Sequence, residues 1–182
     1  IASYGNYAAS GGYWISNSCD KIFSDKSTLT GSIGVFSMIP DFSGTAEKVF
    51  HVGVTNVGSS RHSDMYSLTR PLDAEETAYM QRSVDDIYEA FLENVSAGRG
   101  MDKAEIDEIA QGRVWTGSDA LKIGLVDEIG TLADAVRYAA IAAGDTEADL
   151  GTWEVAAYPK PMTTLDIILE NLTGSTDALA GT

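Results

Sequence analysis

One cysteine, two histidines and 12 lysines and arginines against 27 aspartates and glutamates leave whole classes of chemistry without material. Cys19 has no partner for an intramolecular disulfide, although a location outside the cytoplasm needs none. A buried structural thiol is its expected role. His51 and His62 stand apart, and with a lone thiol they give none of the paired spacings of a metal site. Neither metal nor cofactor is expected. A net charge of −15 and a pI near 4.3 argue against the basic stripe that nucleic acid requires, and against a polybasic patch for anionic lipid. No apolar run approaches the roughly 18 to 20 residues of a membrane span. Any membrane attachment is therefore expected to come from a segment outside this sequence. Ile1-Ala2-Ser3-Tyr4 carries no initiator methionine and reads as a strand already under way, so a fragment of a larger fold is expected.

What is present is the composition of a globular domain. The 182 residues are 44% hydrophobic, 21% charged and include 18 glycines, enough for one core and little more. Small residues from 5 to 12 predict a tight turn between the opening strand and a short buried helix. Ile22-Phe23 and Ile33-Gly34-Val35-Phe36 are strand candidates, joined by a turn-like stretch at 24–32. A short helix is predicted over 43–52, stopped by Gly53, then a strand over 54–57. His51 is expected to cap that helix. Residues 58–72 are polar, irregular and long for a plain connector.

The strongest helix signal follows. Asp73 with Glu76 has the capping-box spacing, Met80, Val84, Ile87, Phe91 and Val95 keep helical spacing, and Gly98 and Gly100 end it. Asp102 with Glu105 opens another helix through Ala110, and 118–123 forms a third. Leu125-Val126 is a buried turn or short strand, and Thr131 caps an Ala-rich helix through Ala143. Trp153-Glu154-Val155 alternates like a strand broken by Pro159 and Pro161, 165–172 is a last amphipathic helix, and the tail from 174 frays. Strands alternating with helices predict an α/β fold with a largely parallel sheet. Tyr13, Trp14, Phe36 and Phe91 are expected in the core.

Ser10 stands out on local chemistry. A serine hydroxyl is a weak nucleophile that needs a base and oxyanion donors. Ser10 follows a strand and opens a helix at a Gly-rich turn, the mechanics of a nucleophile elbow, although the spacing is not that of the hydrolase elbow. A Ser-Gly-Gly turn by itself is also an ordinary structural turn. Gly31-Ser32-Ile33-Gly34 is no phosphate loop, because it lacks the Lys-Ser/Thr that completes one.

Three ordered motifs add a resemblance. Ala8-Ala9-Ser10-Gly11-Gly12-Tyr13-Trp14-Ile15-Ser16, then Thr28-Leu29-Thr30-Gly31-Ser32-Ile33-Gly34, then Gln111-Gly112-Arg113-Val114-Trp115-Thr116-Gly117 with Gly124-Leu125-Val126-Asp127, resemble the signal peptide peptidase A (protease IV) family. The resemblance spans about residues 1–145. It implies a Clp protease/crotonase-like fold of repeated β-β-α units, truncated at its N-terminal side. It also implies a serine peptidase acting on cleaved signal peptides or other membrane-derived peptides through a Ser–Lys dyad. Ser10 would then be the nucleophile, the Gly11 amide an oxyanion donor, and Ser32 the hydroxyl that orients the lysine.

The lysine has no match here. In short members of the family it lies in the loop that here reads Ser60-Arg61-His62-Ser63-Asp64. Lys21, Lys26, Lys48, Lys103, Lys122 and Lys160 all fall elsewhere. Long members carry two tandem copies of the fold, the N-terminal copy supplying the lysine and the C-terminal copy the serine. This chain resembles the C-terminal copy, with 1–145 as peptidase domain, 146–174 as its closing strand and helix, and 175–182 as a flexible tail. The fragment alone is then expected to be inactive. His62, oriented by Asp64, is a substitute base to be weighed. The resemblance further implies homo-oligomers, a partner domain in the same polypeptide, and a membrane-associated site facing the periplasm or its equivalent. Two other readings stand beside it: a non-catalytic assembly domain, and an acyl-CoA hydratase or isomerase of the same superfamily.

Overall fold

A computed structural model of the chain describes residues 1–145, 150–159, 162–164 and 167. By its internal packing the chain divides into two units, Ile1–Ala139 and Ala140–Thr182. The first unit holds every residue singled out above for chemistry.

Its opening segment, through Gly31, steps twice through a pair of strands. Strand β1 (Ala2–Tyr4), strand β2 (Tyr7–Ala9) and helix α1 (Gly11–Ser16) are followed by β3 (Ile22–Ser24) and β4 (Leu29–Gly31). Strand β3 lies parallel to β1, with Ala2 opposite Ile22, and β4 lies parallel to β2, with Ala9 opposite Gly31. Later strands complete two three-stranded sheets: β6 (Glu128–Ile129) joins β3 in parallel, and β5 (Val114–Thr116) pairs antiparallel with β4. The expected α/β class holds, and the expected single parallel sheet is two small sheets, one of them mixed. Central strand β3 is buried along its whole length, as a strand covered on both faces must be.

Several differences from the sequence reading have local causes. The strand expected at 33–36 is displaced to β4, because Gly31 (φ 76) and Ser32 (φ 50) turn the chain out of extended geometry. Ile33 is buried against the core, which explains its apolar character without a ladder. Strand β2 lies inside the stretch read as a turn, its small residues masking its pairing. Val54, Thr55 and Val57 are β-branched, but residues 54–57 are exposed and carry no regular structure. Trp153-Glu154-Val155 is likewise irregular, with the Trp153 indole donating to Asp145 at 2.8 Å. Pro161, most of 165–172 and the tail lie outside the described residues.

The helices follow their signals more closely. Helix α2 (Ser43–Lys48) closes at Val49, whose amide donates to Thr45; His51 comes after that closure, exposed and at φ 53, and does not cap it. Helix α3 (Ala74–Arg99) has the full capping box, Asp73 accepting from the Glu76 amide and Glu76 from the Asp73 amide. Gly100 ends it in the left-handed region at φ 66. Gly98 belongs to the helix interior, where a Cβ would fall on Asn17 Oδ1, so close packing against the end of α1 explains the glycine. Helix α4 (Lys103–Ile109) is capped by Asp102, α5 (Gly117–Lys122) by Thr116, and α6 runs Leu132–Ala142 after Thr131.

The core sits between the sheets and α3. Tyr13, Ile22, Ile33, Phe91, Val95, Ile106 and Leu125 are all buried in one cluster, with Trp14 against Phe91 at a centroid distance of 4.4 Å. The Tyr13 hydroxyl donates to the Leu125 carbonyl at 2.9 Å, which fastens α1 to the 124–126 turn. Burial holds the Tyr13 phenol well above its ordinary pKa and pushes Tyr4 up to about 12. Cys19 is half-buried against this cluster.

Candidate active site

Ser10 is the single residue between β2 and α1. A serine at a helix N-cap ordinarily takes extended dihedrals and caps with its hydroxyl. Here φ is 52 and ψ is −118, and the side chain makes no cap bond. Such a conformation costs a non-glycine residue on the order of 1–3 kcal/mol and persists only where neighbours over-determine it. Two backbone bonds do so: the Ser10 amide donates to Gly31 at 2.9 Å, and its carbonyl accepts from the Trp14 amide at 2.8 Å. The result is an exposed serine whose hydroxyl is not engaged in capping its own helix. Gly11 and Gly12 follow at the helix start, where amides lack intrahelical partners. A Cβ on either would meet nothing within 4 Å, so packing does not demand these glycines.

Ser32 repeats the feature at the end of β4. It too has positive φ, and its amide donates to the Arg113 carbonyl at 2.8 Å. The neighbouring turn at 111–113 holds two more left-handed residues, Gln111 (φ 57) and Gly112 (φ 77), and the Gly112 amide donates to Ile33 at 2.9 Å. A Cβ on Gly34 would lie 2.5 Å from the Gly112 nitrogen, so the close approach of these backbones demands a glycine at 34, whereas Gly112 is favoured by its positive φ.

Ser10 and Ser32 open into one cleft of about 570 Å³. One wall comes from Val35 and Phe36, the other from Gln81, Val84, Asp85 and Tyr88 on α3. Gln81 donates to Asp85 at 2.7 Å. Phe36, expected in the core, is 89% exposed and forms this wall. The apolar stripe of α3 divides accordingly. Phe91 and Val95 are buried, Val84 faces the cleft and Ile87 is exposed. Sequence reasoning missed the cleft role of α3, although the 81, 84, 85, 88 spacing of one helical face was available to signal it.

Among the described residues no lysine lines this cleft. Lys21 pairs with Glu128 at 2.9 Å and sits over the Phe23 and Tyr138 rings, Lys103 pairs with Glu89, and Lys122 with Asp119. Lys26 and Lys48 are exposed, and Lys160 lies outside the described residues. His62 is not brought to Ser10. It borders a separate pocket, with Nδ1 3.0 Å from Glu76 Oε1. Its proposed orienter is engaged elsewhere: Asp64 accepts two bonds from Arg70, at 2.9 and 2.7 Å.

That second site is a closed ion-pair network. Arg70 also reaches both oxygens of Glu76 at 2.7 Å. Glu76 is 1% exposed, and its carboxyl is held far below the usual carboxylate range by Arg70, then by the Asp73 amide and His62. His62, Asp73 and Glu76 lie close enough to suggest a metal cluster, but the Arg70 guanidinium already occupies Glu76. The network ties the 58–72 loop to the N-terminus of α3.

Comparison with known proteins places the sequence of this chain in a family. Protease 4 of Haemophilus influenzae is 44% identical over 147 residues, which cover 76% of this chain and 22% of that protein. Protease 4 of Salmonella typhi is 39% identical over 179 residues, covering 98% of this chain and 28% of that protein. The chloroplastic serine protease SPPA of Arabidopsis thaliana is 35% identical over 140 residues, 76% of this chain and 20% of that one. The chain thus spans less than a third of the length of each of these relatives. No helix among the described residues is long and apolar enough to cross a membrane. The sequence profile of peptidase family S49 matches residues 1–145, a span that includes Ser10, Ser32 and the 111–113 turn, and the chain belongs to that family.

Proposed function

We propose that this chain is the serine-bearing module of a Ser–Lys endopeptidase, with Ser10 as nucleophile. The observation that carries the reading is the strained Ser10 elbow opening, together with Ser32, into one cleft. In the first step Ser10 Oγ bonds to the scissile carbonyl carbon while its proton passes to a neutral lysine amine. The carbonyl oxygen takes up the negative charge and is met by the Gly11 amide. The lysine then returns the proton to the leaving amine as the C–N bond breaks. Water hydrolyses the acyl-enzyme by the same route in reverse order. The open space over Gly11 and Gly12 suits this role, since a side chain there would obstruct the approach of an oxyanion.

The base is proposed to come from a second copy of the fold in the same polypeptide. Support comes from the absence of a lysine lining the cleft among the described residues and from the greater length of the relatives. To act near neutrality that lysine must drop from about 10.4 to roughly 7–8, a shift that burial beside Ser10 and Ser32 would supply. His62 is set aside as a substitute because Glu76 and Glu75 engage it in another pocket. The repeated β1-β2-α1 and β3-β4 steps fit the β-β-α units of a Clp protease/crotonase-like fold. Residues 1–145 are read as the peptidase domain, 146–174 as its closing segment and 175–182 as a tail. Peptides from membrane-derived segments as substrates, homo-oligomers and a membrane-associated, extracytoplasmic location complete the proposal.

The test is peptide hydrolysis by the protein as its gene encodes it, with Ser10→Ala and Ser32→Ala variants. Loss of turnover in Ser10→Ala, with the fold retained by circular dichroism, supports the reading. Undiminished turnover in that variant would sink it. Tight binding of an acyl-CoA in place of hydrolysis would redirect it to the acyl-CoA chemistry of the same superfamily. Absence of both activities would leave an assembly domain.

A further inference from the structure

The strain at Ser32 needs a restraint, and the restraint can be followed outward. The Ser32 amide is held by the Arg113 carbonyl and the Gly112 amide by the Ile33 carbonyl, so the 111–113 turn grips the end of β4 from both sides. The first residue of that turn, Gln111, is exposed and left-handed. Its amide donates at 3.2 Å to the hydroxyl of Tyr88, on the face of α3 that lines the cleft. The same hydroxyl donates to Asp107 Oδ1 on α4 at 2.5 Å. A phenol accepts one bond and donates another, so a single oxygen links two helices to the turn. Burial and then the Asp107 carboxylate raise the pKa of Tyr88, which keeps it a donor.

We infer that Tyr88 and Asp107 form a positioning pair that holds the 111–113 turn, and through it the left-handed Ser32 backbone, in working register. The inference rests on the proposed role of Ser32 in orienting the base. Other bonds steady the turn from outside the cleft: Arg113 reaches the Glu108 carbonyl at 2.8 Å, and the Trp115 indole donates to Ile109 at 3.0 Å. Tyr88 differs from these because it holds the turn on the cleft side.

The experiment is a double-mutant cycle in the protein as its gene encodes it, read by hydrolysis of a fluorogenic peptide across pH. Tyr88→Phe keeps the ring and removes both bonds. The pair predicts that kcat falls by about 10- to 100-fold, the scale of a small misplacement at a reacting centre, with KM little changed. The acid limb of the pH–rate profile should move in the same direction as in Ser32→Ala. Ser32→Ala/Tyr88→Phe should be no slower than Ser32→Ala alone, because both losses act through one hydroxyl. Asp107→Asn, which keeps an acceptor oxygen, should retain most of the rate, and Asp107→Ala should lose it as Tyr88→Phe does. Multiplying losses in the double variant, or full activity in Tyr88→Phe with Ser32→Ala impaired, would overturn the pair alone. Full activity in Ser32→Ala would overturn the pair and the reading of Ser32 together.

Discussion

Two glycines on helices, Gly11 and Gly98, carry opposite constraints although the sequence presents them alike. At Gly98 a Cβ would fall on Asn17 Oδ1, a buried side chain fixed by bonds to the Tyr13 and Trp14 carbonyls and to Asn94. Alanine favours a helix interior by about 1 kcal/mol, but forced overpacking costs typically 1–3 kcal/mol. Gly98→Ala should therefore be neutral at best and most often destabilising, measured as a lower urea midpoint with an unchanged slope. At Gly11 a Cβ meets open space. Gly11→Ala should leave the thermal midpoint unchanged or raise it while peptide hydrolysis drops. Equal loss of stability and rate would remove the oxyanion role from that amide. Ser10 was legible from its Gly-rich neighbours and the resemblance, but its φ of 52 was not. Serine is no signal for positive φ, and only the bonds to Gly31 and Trp14 impose it.

At the scale of elements, the N-terminus of α3 is where pH should act. The Glu76 carboxyl is depressed chiefly by Arg70. A depressed folded-state pKa contributes stability that is fully present above the unfolded value of about 4.3 and lost as pH falls toward the folded value. Asp73, Glu75, Arg61, Arg70 and His62 all face this carboxylate or its partners. Unfolding by urea from about pH 7 down to about pH 3 should show stability falling below about pH 4.3, with Glu76→Gln flattening that fall. An identical profile in the variant would contradict the role given to Glu76. The capping box itself was readable from Asp73 and Glu76, because a cap depends on residues three apart in sequence. Arg70 and His62 were not, since their bonds to Glu76 depend on how the irregular 58–72 loop folds back. The same rule separates the strands: Ile22-Phe23 signals β3 locally, whereas β2, β5 and β6 are defined by pairing partners far along the chain.

For the whole molecule, the proposed catalytic apparatus is a composite. In the proposal this chain provides the elbow, the cleft and the α3 wall, and the base would be supplied from elsewhere in the polypeptide. The purified 182-residue chain should therefore show no peptidase turnover above background. Turnover lost on His62→Ala would instead restore the histidine base. The acidic balance, −15 overall, predicts weak retention on anionic vesicles by this chain alone. Family membership was legible from three motifs in order along the chain, and the structure joins their backbones at Ser10, Ser32 and 111–113. Phe36 as a cleft wall was not, because an apolar residue facing a groove has the same sequence signature as one facing a core; for α3 the spacing of 81, 84, 85 and 88 was the available signal.

The central claim is that Ser10 is the nucleophile, and a covalent probe tests it most directly. The protein as its gene encodes it is treated with a fluorophosphonate, digested, and the adduct located by mass spectrometry. One adduct is expected, on the Ser10 hydroxyl, absent from Ser10→Ala and reduced in Ser32→Ala. An adduct on another residue, or labelling that persists undiminished in Ser10→Ala, would contradict it.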